Sequence, residues 1–167
     1  GTRMNYNRKA LIDQLVLHEG LRLQVYQDHL GIDTIGVGRN LEDRGITDGE
    51  LAFMSLLKNE IYDTGITEAN ARFLLSNDID IVEKELLNAH PCIERMDDVR
   101  IRVVLDMAFN MGVPRLCKFK NMWAGIEDGD YIKACVEMLD SRWAKQVGNR
   151  AIRLSEAMRT GELLKCQ

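Results

Sequence analysis

One apolar stripe constrains the fold more than any other feature. Ala71, Leu74, Leu75, Ile79, Val82 and Leu86 recur at helical spacing between a cap candidate, Thr67, and Pro91. Residues three, four and seven apart share one face of an α-helix. The spacing therefore predicts one amphipathic rod over residues 67–88. At its per-residue rise such a rod is about 30 Å long. It can join two lobes, and the sequence before it differs from the sequence after it.

Before the rod, Leu11, Ile12, Leu15 and Val16 predict a helix over residues 7–18, ended at Glu19-Gly20. Leu23 and Val25 then alternate with polar neighbours, as do Ile35 and Val37, around a turn at His29-Leu30-Gly31. Thr47 with Glu50 three residues on has the form of a capping box. After the rod, residues 99–111 are apolar enough to predict a helix at the centre of a core, stopped by Gly112 and Pro114. Short helices follow over 121–126, 130–139 and 149–158. The class expected is α+β, predominantly helical. One domain spans 1–167, with an N-terminal α/β lobe (19–66), a connecting helix (67–88) and a helical lobe (89–167 together with 7–18).

Composition narrows the functions. The chain is 46% apolar and 29% charged, as expected of a globular protein. It has no apolar run approaching the ~18 residues a spanning helix needs, so no stable membrane association is expected. No secretory signal is visible at its start. Cys92, Cys117, Cys135 and Cys166 form no C-x-x-C pair, so reduced thiols are expected. His18, His29 and His90 lack metal-ligand spacing, and neither metal nor cofactor is expected. The net charge of −4 disfavours nucleic acid as a partner. That charge is uneven: residues 47–98 carry −8, residues 141–167 carry +4, and Arg115, Lys118 and Lys120 form a run without an acid. A basic face on the later half would attract a carboxylate-rich polymer.

The chemistry concentrates around the first turn. Glu19 stands where an apolar helix meets a glycine, a place that can half-bury a carboxyl. Burial raises a carboxyl pKa and keeps a proton available near neutrality. Asp28 lies near the turn and Thr34 follows six residues later. Two carboxylates in different surroundings suit glycosidic hydrolysis: one donates a proton and one handles water or the sugar cation. The competing reading of Asp28 is turn chemistry, for which Asp33 is the better candidate.

This segment, Glu19, eight residues, Asp28, five residues, Thr34 and then Ile35-Gly36-Val37-Gly38, resembles the catalytic segment of the T-even-type phage lysozymes (endolysins), glycoside hydrolase family twenty-four. Phe109-Asn110-Met111-Gly112 is similar to that family's Phe-Gln-Met-Gly turn. Ser141-Arg142-Trp143 and Asn149-Arg150-Ala151, then Arg159-Thr160-Gly161, match its later blocks. The resemblance implies a lysozyme-like fold with the active-site cleft between a small α/β lobe and a helical lobe. It implies an enzyme, a muramidase cutting the β-1,4 bond between N-acetylmuramic acid and N-acetylglucosamine in peptidoglycan, with inversion. Inversion needs the two carboxyls about 6.5–9.5 Å apart.

In that family Glu19 would be the general acid, and Asp28 with Thr34 would place the water. Arg150 would support Glu19. Phe109, Asn110, Asn40, Met122, Glu137 and Arg142 would bind substrate, although Asn40, Met122 and Glu137 depart from the usual residue types. Trp143 reads as core rather than as a sugar platform. Arg39 stands where a His usually pairs with an Asp, and Asp78 holds that Asp's place, so an Arg39–Asp78 pair is expected. Gly148 replaces a Pro, which loosens the start of the last helix.

The resemblance further implies a monomer that lyses the host, waiting in the host cytoplasm until a holin-type factor permeabilises the membrane. Two alternatives stand beside it. A lytic transglycosylase would form an anhydro-sugar and need no water-positioning Asp. A silent peptidoglycan-binding protein would keep the fold alone.

Overall fold

The computed structural model describes residues 4–163, and Cys166 lies outside them. The described residues form ten α-helices and one three-stranded sheet. The chain divides into two compact units. One is Lys9–Asp80; the other joins Ile81 onward to the described residues before Lys9.

The first unit begins with α1 (Arg8–Glu19), which buries Leu11, Gln14 and Leu15. All of α1 except Arg8 falls in this unit, whereas the sequence grouped residues 7–18 with the later lobe. Gly20 N–H donates to the Val16 carbonyl (2.9 Å) at the helix end. Strands β1 (Arg22–Gln27), β2 (Asp33–Gly36) and β3 (Arg39–Asn40) follow in antiparallel order β1-β2-β3. Tyr26 pairs with Thr34, and Thr34 with Asn40. Helices α2 (Asp48–Met54) and α3 (Lys58–Asp63) lead to α4 (Glu68–Ala89), the long rod of the stripe.

The expected capping box is present: Thr47 Oγ1 accepts from Glu50 N–H (3.1 Å), and Glu50 Oε1 accepts from Thr47 N–H (3.0 Å). Thr67 Oγ1 likewise accepts from Asn70 N–H (3.1 Å) at the start of α4. Ile35, Met54, Ile61, Ile66, Ala71 and Leu74 form this unit's core, so the sheet, α2, α3 and the first turns of α4 share one apolar centre. At Gly65 (φ +77°) the chain passes so close to β1 that a Cβ would sit 2.1 Å from the Leu23 carbonyl oxygen.

The second unit is helical. A 3₁₀ turn (Pro91–Arg95) precedes α5 (Asp98–Met111), α6 (Val113–Cys117), α7 (Lys120–Glu127), α8 (Tyr131–Leu139), α9 (Arg142–Val147) and α10 (Asn149–Thr160). Helix α5 supplies the core, with seven buried residues: Ile101 and the unbroken run from Val103 to Ala108. Residues before Lys9 belong here because the Tyr6 hydroxyl hydrogen-bonds Glu83, and Asn7 N–H donates to Asp98 Oδ1 (2.7 Å).

Five short elements escaped the sequence reading: β3, α3, the 3₁₀ turn, α6 and α9. Pro114 does not merely stop α5; it sits in the first turn of α6, where a missing N–H costs nothing. Gly148 is also more than a loosened start. Its backbone (φ +60°, ψ −117°) is one that side-chain-bearing residues rarely adopt, and it turns the chain from α9 into α10.

Candidate active site

Glu19, Asp28, Thr34 and Asn40 all lie in the first unit, on the end of α1 and on the sheet it leads into. Glu19 is half-buried at the last position of α1. Asp28 is the first residue after β1 and shapes the hairpin: its Oδ1 accepts from Leu30 N–H (2.8 Å) and Ile32 N–H (3.0 Å). Turn chemistry and catalysis are thus not rival readings of Asp28. One carboxylate oxygen holds the turn, and Oδ2 takes neither bond. The Ile32 N–H holds its pKa below the usual carboxylate range; slight desolvation opposes this, and Leu30 N–H and His29 assist.

Thr34 is buried in β2, and its hydroxyl donates to the Ile32 carbonyl (2.8 Å). With its proton so committed, Oγ1 can only accept from a further partner. Both Asp28 and Thr34 are therefore tied to Ile32, which couples their positions through a single residue.

Tyr26 was missed by the sequence reading. It faces Thr34 across the ladder, with the Arg22 guanidinium 4.7 Å from its ring centre. Desolvation raises its hydroxyl pKa; the Arg22 charge opposes, and the negative charges of Asp28 and Glu19 raise it further. Tyr26 therefore stands within electrostatic reach of both carboxylates. Its pairing opposite Thr34 was legible once the hairpin register was known, and not before. Asn40 spends its side-chain oxygen on the next turn, accepting from Glu42 and Asp43 N–H (both 2.8 Å).

Beneath the hairpin lies the expected Arg39–Asp78 pair (Nε to Oδ2, 3.2 Å). Arg39 is 2% exposed and also grips Glu50 through two bonds (2.9 and 2.8 Å), the Gly45 carbonyl and the Leu74 carbonyl. Arg44 pairs with Asp78 from the other side. Burial pushes the Glu50 carboxyl up, but bonds from Arg39, Asn77 and Thr47 outweigh it and bring the pKa down to about 2. Glu50 was legible as a cap; its second role was not, because nothing in the spacing links it to Arg39.

The remaining predicted residues lie in the second unit. Met122, Glu137 and Arg142 line one open cavity of about 840 Å³, together with Trp143. Met122 is fully buried, so it can serve only as floor. Trp143 is 1% exposed, as a core residue should be, and its Nε1–H donates to Asn110 Oδ1 (2.5 Å). Asn110 is thus already bonded by a neighbour of the cavity, while Phe109 is half-buried beside it on α5.

Arg150 hydrogen-bonds Asp106 Oδ1 through Nε (2.9 Å) and Nη2 (2.7 Å). Asp106 is fully buried in α5 and was overlooked in the sequence, where a single acid among Val103, Val104, Leu105 and Met107 was the available signal. Burying a carboxylate is costly unless it is paired, and Arg150 supplies the pair. Among the described residues no cluster of His, Cys, Asp and Glu has metal-binding geometry, and no helix is long and apolar enough to cross a membrane.

The chain matches the family model described as phage lysozyme over residues 16–159. It is 29% identical to a "Probable T4-type lysozyme 1" of Dictyostelium discoideum, over 92% of this chain and 96% of that protein. It is 27% identical to "Probable T4-type lysozyme 2" of the same organism, with the same coverage. A third relative, the "Pre-baseplate central spike protein Gp5" of Enterobacteria phage T4, is 30% identical over 92% of this chain but only 28% of its own length.

Proposed function

Because the chain belongs to the phage lysozyme family and is a lysozyme, an enzyme that hydrolyses peptidoglycan, we propose that it is a muramidase. The bond cut is the β-1,4 link between N-acetylmuramic acid and N-acetylglucosamine, with inversion at the anomeric carbon. The observation that carries this reading is the arrangement at the first hairpin: Glu19 half-buried at a helix end, Asp28 held ionised by backbone N–H groups, and Thr34 with only acceptor capacity left.

Glu19 gives its proton to the leaving glycosidic oxygen as the bond to the muramic C1 breaks. A water molecule donates one hydrogen bond to Thr34 Oγ1 and one to Asp28. Asp28 takes the water's proton as oxygen bonds to C1 from the opposite face. A second-residue role for Arg150, steadied by Asp106, is to support the acid. Catalysis is assigned to residues 19–66. Phe109, Asn110, Glu137 and Arg142, with Asn40 and Met122, are assigned to substrate.

In this reading the protein works as a monomer in host lysis and reaches the wall after a holin-type factor opens the membrane. Proton NMR of the first-formed reducing end tests the stereochemistry: the α-anomer is expected before mutarotation, and an initial β-anomer would overturn inversion. Glu19→Gln should lower turnover by roughly 10²–10⁴-fold with folding intact. Retained lysis by that variant would overturn the assignment of the acid.

A further inference from the structure

The first unit holds a concavity of about 270 Å³ between the loop after β3 and helix α3, and none of the residues assigned to the reaction lines it. Its floor is apolar: Ile61 is 1% exposed within this unit's core, and Leu41 and Ile46 pack against that core. Its rim carries Asp43, Lys58 and Tyr62, all exposed.

Both walls are fixed by bonds inside the protein. Asn40 Oδ1 takes the N–H groups of Glu42 and Asp43, the Gly45 carbonyl accepts from Arg39 (2.9 Å), and Arg44 is held by Asp78. On the other side Leu57 N–H donates to Glu60 Oε1 (2.9 Å), which anchors the start of α3. A concavity with rigid walls loses little freedom when a ligand enters it.

The rim selects the ligand. Arg44 is neutralised by Asp78, so the charges left over are one carboxylate, Asp43, and one ammonium, Lys58. Among the described residues neither makes an ion pair, and the Tyr62 hydroxyl makes no hydrogen bond. Those two charges cancel, which gives a phosphate or a polycarboxylate no advantage. What remains is an acceptor, a donor and a hydroxyl that does both, set around an aliphatic floor. A sugar ring is complementary to that: its hydroxyls donate and accept at the edge, and its C–H faces leave water against aliphatic and aromatic carbon. The volume suits one small ring rather than a chain.

We propose that this concavity binds one neutral N-acetylhexosamine residue of the glycan, apart from the hairpin where the bond is cut. The acetyl methyl finds apolar surface at Leu41 and Ile46, and Asp43 disfavours the neighbouring sugar, which carries a carboxylate. This rests on the peptidoglycan reading and deepens it: a second contact with the same strand raises the apparent affinity for long glycans without altering the chemical step.

The test is ¹H–¹⁵N NMR titration with the methyl β-glycoside of N-acetylglucosamine, a single ring with no glycan bond to cut. Amides of residues 41–46 and 58–62 should shift saturably. Tyr62→Ala and Asp43→Ala should each weaken that response roughly fivefold, the loss of about one good contact. Shifts at residues 19–36 should be unchanged in both variants. Both side chains are exposed, so the variants should fold, and a circular dichroism melt of each checks it. No saturable shift at the concavity, or an unweakened one in both folded variants, would overturn the proposal. So would a response there to glycine, a small zwitterion, without one to the sugar. Release of reducing ends from peptidoglycan by the unaltered protein is read in parallel. Turnover without sugar binding at the concavity removes this site and leaves the hydrolase. Sugar binding there without any turnover upholds the site and removes the muramidase.

Discussion

Asp28 and Glu50 are carboxylates of the same compact unit, held in opposite ways. Asp28 lies at an open turn and receives two backbone N–H bonds, both on one oxygen. Glu50 is 5% exposed and receives bonds on both oxygens, from Arg39, Asn77 and the Thr47 N–H. Both are kept ionised, but only Asp28 has an oxygen to spare. A saturated, buried carboxylate can hold a structure together; an anchored and half-satisfied one can receive a proton from water. The capacity for chemistry follows from what is left unbonded, not from the shift in pKa.

Asp28→Asn puts the largest strain on that contrast. Asn keeps the Oδ1 acceptor, so the turn should survive with a stability change of no more than about 1 kcal/mol. Turnover should fall by roughly 10²–10⁴-fold, the range for loss of a general base. Unfolding in urea and release of reducing ends would be compared on one preparation; a stable variant with near-normal turnover would break the comparison. Arg39→Met should do the reverse. It leaves Asp78 with Arg44 alone and takes both guanidinium bonds from the buried Glu50, and removing one partner of a buried pair costs about 3–5 kcal/mol. Activity per folded molecule should change little, and a loss below about 1 kcal/mol in urea melts would show that the network is idle.

Acid sharpens the same distinction. Glu50 has its pKa lowered from 4.5 to about 2 in the folded protein. A depressed carboxylate contributes stability that is fully present above its unfolded pKa and is lost as pH falls through the folded value. The melting temperature should therefore drop between about pH 4.5 and pH 2. Glu50→Gln should be less stable near neutrality and flatter across that window. An equally steep decline in the variant would assign acid sensitivity elsewhere, for instance to Asp98, whose carboxyl Arg102 also holds low against the effect of burial. The smallest effect belongs to Thr47→Ala, which removes one cap bond beside Glu50 and should cost about 1 kcal/mol by thermal melting.

The sequence disclosed the parts of this molecule that rest on periodicity and local chemistry. The rod, the apolar α5, the hairpin and the capping box at Thr47 all depend on residues a few positions apart. Glu19, Asp28 and Thr34 could be put forward as a catalytic set for the same reason, since they share one short segment. Contacts over long separations were not: Glu50 with Arg39, Asp106 with Arg150, and Asn110 with Trp143 join residues 11, 44 and 33 positions apart. The Arg39–Asp78 pair was reached only through resemblance, because no spacing rule links residues 39 apart. Short helices such as α6 and α9 escaped because five or six residues carry too little periodicity to register.

The most direct test of the muramidase reading is mass spectrometry of soluble fragments from purified peptidoglycan digested in ¹⁸O-labelled water, sampled early. Reducing N-acetylmuramic acid ends carrying the heavy oxygen are the expected product. Unlabelled 1,6-anhydro ends would contradict that reading, because they form without the water that Asp28 and Thr34 are assigned to place.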